Sequence, residues 1–144
     1  MNFKPLFAEF FGTALLVTAV VGSGIMGSNL SGDLLVALIA NAVSTALTLG
    51  ILILTLGPVS GAHFNPVVSM ALAIDQRFKA VGVAPYLVAQ FAGAIAGAVL
   101  ANVMFGAEAI QVSSKGMASE GAVIGEVVAT AGLVFIILNL IQTK

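Results

Sequence analysis

The sequence predicts an all-α transmembrane fold with about four membrane-spanning helices and one re-entrant half-helix. Of the 144 residues, 60% are hydrophobic and only 8% are charged, and the mean hydropathy is +1.15. Apolar runs this long exceed what a soluble core helix needs, and a bilayer explains them. Between two of the runs lies a polar, irregular stretch, residues 60–65, followed by a segment too short to cross a membrane.

Composition excludes several classes of function. The chain has no cysteine, which rules out a disulfide framework, a thiolate metal site and a cysteine nucleophile. A net charge of −1 provides no basic field for nucleic acid. We therefore expect no cofactor, no metal and no nucleic-acid partner, and the lipid bilayer is the expected surrounding.

Residues 6–26 form the first predicted span, with Lys4 just before it. Glu9 lies about one turn inside the membrane. An acid at this depth is either interfacial, reaching back to water, or buried and paired with a partner. A short polar turn at residues 29–33 follows and leads to the second span.

Residues 34–56 form the second predicted span, interrupted by Asn41, Thr45 and Thr48. These three side chains are three or four residues apart and therefore share one helix face. In lipid such a face either binds a neighbouring helix or lines a pore. Gly57-Pro58 is predicted to end the helix.

A half-helix is predicted to start at Asn65-Pro66. The Asn65 side chain can cap a helix, and Pro66 suits the first helical position because its missing N–H is no loss there. The helix can run only to about Asp75, roughly ten residues or ~15 Å, which is about half of a ~30 Å hydrocarbon core. Irregular backbone at membrane depth requires burial in protein or a water-filled cavity, and this predicts a pore. An Asn-Pro turn in a soluble protein is the alternative, which the apolar flanks disfavour.

Two further spans are predicted at residues 86–105 and 122–141. The first contains Gln90 and a G-x-x-x-G pattern, Gly93 and Gly97, which usually indicates close helix packing. Basic residues predict the orientation, because cytoplasmic loops carry the excess of Lys and Arg. With the N-terminus in the cytoplasm, four basic residues fall inside and one, Lys115, falls outside; the four are Lys4, Arg77, Lys79 and Lys144.

The fourth span repeats the first. Residues 8–17 and 125–134 agree at five of ten positions, and Glu126 matches Glu9. One repeat, about residues 1–106, holds three spans and a half-helix, and an odd number of spans inverts the next copy. We expect a single membrane domain that contains this repeat and the first helix of a second, about residues 121–144, without a second Asn-Pro stretch.

The motifs resemble those of the major intrinsic protein family, the aquaporins and glycerol facilitators. Residues 8–13 (AEFFGT) resemble the first-helix signature of this family, residues 60–67 (SGAHFNPV) its first NPA loop, and residues 89–94 (AQFAGA) its third helix. The resemblance implies an aquaporin-like fold in the bacterial inner membrane and a homo-oligomer, a tetramer, when complete. Val67 departs from the usual alanine of the motif, and the second NPA loop and the filter arginine have no counterpart in this sequence.

The resemblance also implies roles for single residues. Asn65 would offer its amide to permeants, and Pro66 would start the half-helix. Four main-chain carbonyls would line the pore, those of Gly61, Ala62, His63 and Phe64. Glu9 and Gln90 would support this loop, and Glu126 would support a second one. Thr45 falls where the filter of the family usually has an aromatic ring, which favours small neutral solutes such as polyols or uncharged metalloid acids over strict water selectivity. The alternative is that the Thr45 hydroxyl bonds to the main-chain carbonyl one turn back and that a neighbouring helix supplies the bulk.

The sequence is therefore compatible with three functions. The first is a passive channel for water or small neutral solutes, present as a partial chain. The second is a non-conducting membrane protein that packs with full-length channel subunits. The third is acyl transfer by His63 beside Ser60 and Glu9, which is disfavoured because a lone histidine at a loop-to-helix junction is usually a structural hydrogen-bonding residue.

Overall fold

The computed structural model describes residues 3–111 and 119–142, and the elements within these ranges are helical. Four helices are long and apolar enough to cross a membrane. A fifth, short helix lies between the second and third of them. The helices are α1 (Phe3–Leu30), α2 (Leu34–Ser60), α3 (Pro66–Ile74), α4 (Val83–Met104) and α5 (Glu120–Gln142), with a 3₁₀ turn at Ala80–Gly82 before α4. The predicted all-α transmembrane class is confirmed; Lys115 and Lys144, used in predicting the orientation, lie outside the described residues.

The predicted end of the second helix is wrong. Gly57-Pro58 does not stop α2, which continues to Ser60. Pro58 offers no N–H to the Leu54 carbonyl and its ring crowds that carbonyl, but only Val59 and Ser60 follow it in α2, so any bend displaces only the short end of the helix. The stop is Gly61, whose φ of 89° is left-handed and whose N–H donates to the Gly57 carbonyl over 2.9 Å.

Helix α1 packs against both α2 and α4. On the α4 side Gly93 and Gly97 lie directly against the carbonyls of Phe10 and Ala14, where an added Cβ would overlap the α1 backbone. The Thr18 hydroxyl also donates to the Gly97 carbonyl over 3.1 Å. On the α2 side Asn41 Nδ2 donates to the Val20 carbonyl over 2.7 Å, which makes Asn41 a helix-packing residue.

The half-helix α3 begins at Pro66 and ends at Ile74, as predicted, with Asp75 as its C-cap. It packs against α4 and buries Val68, Ser69 and Leu72. Among the described elements α5 contacts only α3 and buries no residue. Arg77 links the two, because it pairs with Asp75 over 2.5 Å and donates to the Leu138 carbonyl over 3.3 Å.

Candidate pore site

The loop that precedes α3 has a strained backbone. Gly61, Ala62 and Phe64 all have positive φ, at 89°, 52° and 47°. Residues other than glycine lose roughly 1–2 kcal/mol each in this left-handed region. The loop therefore needs compensating interactions from outside itself. One of them is the packing of Phe64, whose buried ring fills the space that a Cβ on Gly12 would occupy.

Glu9 provides most of the compensation. Its side chain is fully buried and accepts four hydrogen bonds. One carboxylate oxygen accepts from Ser60 Oγ at 2.6 Å and from the His63 N–H at 3.0 Å. The other accepts from the Phe64 N–H at 2.8 Å and from Gln90 Nε2 at 2.8 Å. A carboxylate with four donors is well solvated by protein, which explains how an acid can lie at this depth.

Ser69 and Tyr86 complete the network, and the sequence analysis missed both. The buried Ser69 hydroxyl lies 2.9 Å from His63 Nδ1, accepts from Gln90 Nε2 over 3.0 Å and donates to the Asn65 carbonyl over 3.2 Å. The Tyr86 hydroxyl donates to the Ser60 carbonyl over 2.8 Å. The four-residue spacing between Asn65 and Ser69 is a signal that sequence alone contains; the role of Tyr86 depends on tertiary packing.

Asn65 caps α3 and keeps one polar group free. Its Oδ1 accepts from the Val67 N–H over 2.8 Å, so the side-chain amide is fixed with its nitrogen turned away from the helix end. Among the described residues Nδ2 has no hydrogen-bond partner, and Asn65 is only half-buried. Val67, at the third motif position, is 41% exposed. The site thus presents a fixed amide donor at a helix N-terminus.

A cavity of about 420 Å³, here called the loop-side cavity, lies beside the loop. Gly61, Ala62 and His63 form one side of it. Helix α5 also lines it, through residues that were not predicted from the sequence, namely Ile137, Leu140 and Ile141. The loop and the C-terminal part of α5 therefore face a common space.

Glu126 and Thr45 lie apart from this loop. Glu126 is exposed and lines a second cavity, about 650 Å³, which it shares with Val67 and Ala71 of α3. Thr45 is half-buried, and its Oγ1 has no hydrogen-bond partner within residues 3–111 and 119–142. The hydroxyl does not bond to the carbonyl one turn back, although this is common for threonine in helices. The oxygen is also shielded from solvent in the described structure, so Thr45 Oγ1 is a buried polar atom without a partner there.

The geometry does not assemble the acyl-transfer group that the sequence suggested. Ser60 Oγ donates to Glu9, and the histidine nitrogen nearest a hydroxyl pairs with Ser69 instead. Ser69 is fully buried and already bonded to Gln90 and Asn65. A nucleophile needs an exposed position next to its base, and neither serine has one.

Comparison with known proteins gives a consistent result. The sequence profile of the family described as "Major intrinsic protein" matches residues 1–144. "Aquaglyceroporin AqpS" of Rhizobium meliloti (strain 1021) is 47% identical over 131 residues, which are 91% of this chain and 56% of that protein. Two proteins named "Aquaporin Z" are also similar. That of Photorhabdus laumondii is 32% identical over 94% of this chain and 64% of its own length, and that of Brucella melitensis is 37% identical over 82% and 51%. The chain thus spans about half the length of these relatives.

Proposed function

The chain belongs to the major intrinsic protein family, and from this we propose that it forms part of a passive channel for water or small neutral solutes. The observation that carries the proposal is the free Nδ2 donor of Asn65 at the start of the half-helix, beside a loop that borders a cavity. Relatives named aquaglyceroporin and aquaporin support the same function.

The polarity of the loop suits neutral permeants. Glu9 takes up the N–H groups of His63 and Phe64, so the main-chain groups left to interact with a permeant are carbonyl acceptors, complemented by the amide donor of Asn65. The N-terminus of α3 adds about half an elementary positive charge, which repels cations and orients water. Proton relay is thereby opposed while hydrogen-bonding neutral molecules pass.

The pore that we propose requires more than the described helices. The described part of α5 buries no residue, and Glu126 is exposed at the position that matches Glu9. We propose that residues 1–106 and 121–144 belong to two inverted repeats of one domain and that Glu126 supports a second loop. We further propose a location in a bacterial inner membrane, which the bacterial relatives support, and a cytoplasmic N-terminus, which the positions of Lys4, Arg77 and Lys79 support. A homotetramer is proposed from family membership alone.

Proteoliposomes test this function directly. The 144-residue chain alone is expected to insert but to raise osmotic water permeability no further than lipid does, because a half-lined pore collapses or faces lipid. The same chain joined to the second half of the aquaglyceroporin relative is expected to conduct water or glycerol and to exclude protons. Stopped-flow light scattering measures both. Failure of the joined protein to conduct any neutral solute would contradict the proposed function.

Thr45 is the proposed filter residue of this chain. In the joined protein, Thr45→Phe is expected to lower glycerol uptake about tenfold while water permeability changes little, because the larger ring narrows the mouth for the larger solute. Thr55→Phe is the matched control, because Thr55 lies on an exposed part of the same helix and its hydroxyl already donates to the Ile51 carbonyl. Unchanged glycerol uptake in the Thr45 variant would remove Thr45 from the filter.

A further inference from the structure

Three aromatic rings pack together next to the loop. The ring centroids of His63 and Phe78 are 4.8 Å apart in an edge-to-face arrangement. Those of His63 and Tyr86 are 5.1 Å apart, and those of Phe78 and Tyr86 are 4.6 Å apart. All three distances lie within the range of favourable ring contacts. His63 thus has a partner ring in the turn before the 3₁₀ segment and another on α4.

Each ring of this cluster is held by a further contact. Tyr86 donates its hydroxyl to the Ser60 carbonyl, and His63 Nδ1 is bonded to Ser69. Phe78 lies over Gly82, where a Cβ would come within 2.7 Å of the ring. His63 and Tyr86 are 8% and 6% exposed, so both residues are buried and these contacts hold their rings in place.

The cluster separates two cavities. His63 borders the loop-side cavity. Phe78 and Tyr86 border another cavity of about 780 Å³, whose further walls come from the start of α1 and from the turn before α4. No single described residue lines both spaces: His63 borders one cavity, and the two residues whose rings contact it border the other. Loss of a supporting ring would open space behind His63.

We propose that Phe78 and Tyr86 are positioning residues that hold the His63 imidazole at the wall of the loop-side cavity and thereby limit the size of solute that passes. The inference rests on the proposed channel function. A void behind the imidazole is not refilled by backbone movement, because packed surroundings relax only partially. Without Phe78 the imidazole gains space to withdraw, and the cavity widens on the permeant side.

The test measures the ratio of glycerol to water permeability in the joined protein. Phe78→Ala is expected to raise this ratio about threefold or more, because a wider constriction favours the larger solute. Phe78→Tyr, which keeps the ring, is expected to retain the native ratio. Phe91→Ala is the matched control, since Phe91 is 59% exposed and lies outside both cavities. Phe78→Leu serves if the alanine variant fails to insert, with a change in the same direction.

Combining Phe78→Ala with His63→Ala distinguishes an effect that acts through His63 from a general loss of packing. In His63→Ala protein, Phe78→Ala is expected to change the ratio less than about 1.5-fold, because two residues that act through one contact are not additive. An equal effect of Phe78→Ala with and without His63 would overturn the inference. So would a native ratio in the Phe78→Ala and Phe78→Leu variants of a conducting channel. A native joined protein that conducts nothing would instead refute the proposed function.

Discussion

Replacing Glu9 with glutamine is expected to destabilise the folded chain by about 3 kcal/mol or more. Each carboxylate oxygen accepts two hydrogen bonds, and all four donors are buried or part-buried. An amide offers one oxygen and one NH₂ group. Whichever way it turns, its NH₂ group faces a main-chain N–H that cannot change role, either that of His63 or that of Phe64, and this N–H loses its acceptor. The Ser60 hydroxyl and the Gln90 amide can only adapt by turning away from the hydrogen bonds that they now make.

The loop is expected to respond first. Left-handed backbone at Ala62 and Phe64 is maintained against strain by these bonds, so their loss releases the loop before the long helices separate. Hydrogen exchange of the His63 and Phe64 amides should accelerate at least about tenfold, since an opening that costs about 1.4 kcal/mol less is ten times more populated. Denaturant titration in detergent measures the decrease in the free energy of unfolding of the whole chain.

Glu126→Gln is the matched control within the same chain. Glu126 occupies the equivalent place in the repeat but is exposed in the described structure. Its substitution should change the unfolding free energy by less than about 0.5 kcal/mol. Equal stability of the Glu9 and Glu126 variants would show that the carboxylate of Glu9 does not hold the loop.

The half-helix was predictable because its signals are local. Asn65 and Pro66 are adjacent, and capping depends only on the first turn of the helix that they begin. The end of α2 was not predictable from Gly57-Pro58 alone. A proline disturbs the helix on its N-terminal side but does not prevent the next two residues from keeping helical geometry, and the real stop three residues later depends on how Gly61 enters the strained loop.

The partners of Glu9 show where sequence reasoning ends. Burial of the acid follows from the cost of an unpaired charge in a membrane, but its donors come from α4 and from a loop more than 50 residues away. Gln90 and the loop were identified through a family resemblance, whereas Ser69 and Tyr86 were not part of any motif that we recognised in the sequence. The contribution of α5 to the loop-side cavity was equally unpredictable, because an apolar side chain in a membrane span does not indicate whether it faces lipid or a pore.

Gly93→Ala is expected to cost about 3 kcal/mol of stability, the upper part of the range for overpacked cores. The added Cβ would overlap the Phe10 carbonyl, which belongs to backbone and cannot rotate away as a side chain can. Helices α1 and α4 must then separate. Gln90 lies one turn from Gly93, so the separation also stretches the bond between Gln90 and Glu9 and couples helix packing to the loop.

The comparison that isolates this effect is Gly50→Ala. Gly50 lies within α2 with no atom within 4 Å of the place that a Cβ would take, so alanine there meets open space. Alanine also restricts the unfolded chain, and we expect Gly50→Ala to stabilise by on the order of 0.5 kcal/mol. Gly97→Ala, which would meet the Ala14 carbonyl one turn further along the same contact, should behave like Gly93→Ala. Denaturant titrations of the three variants in one detergent measure the change in unfolding free energy. Gly50→Ala should raise it and Gly93→Ala should lower it if the contact between α1 and α4 requires residues without a side chain. Equal, small effects at all three positions would mean that helix propensity alone governs these glycines.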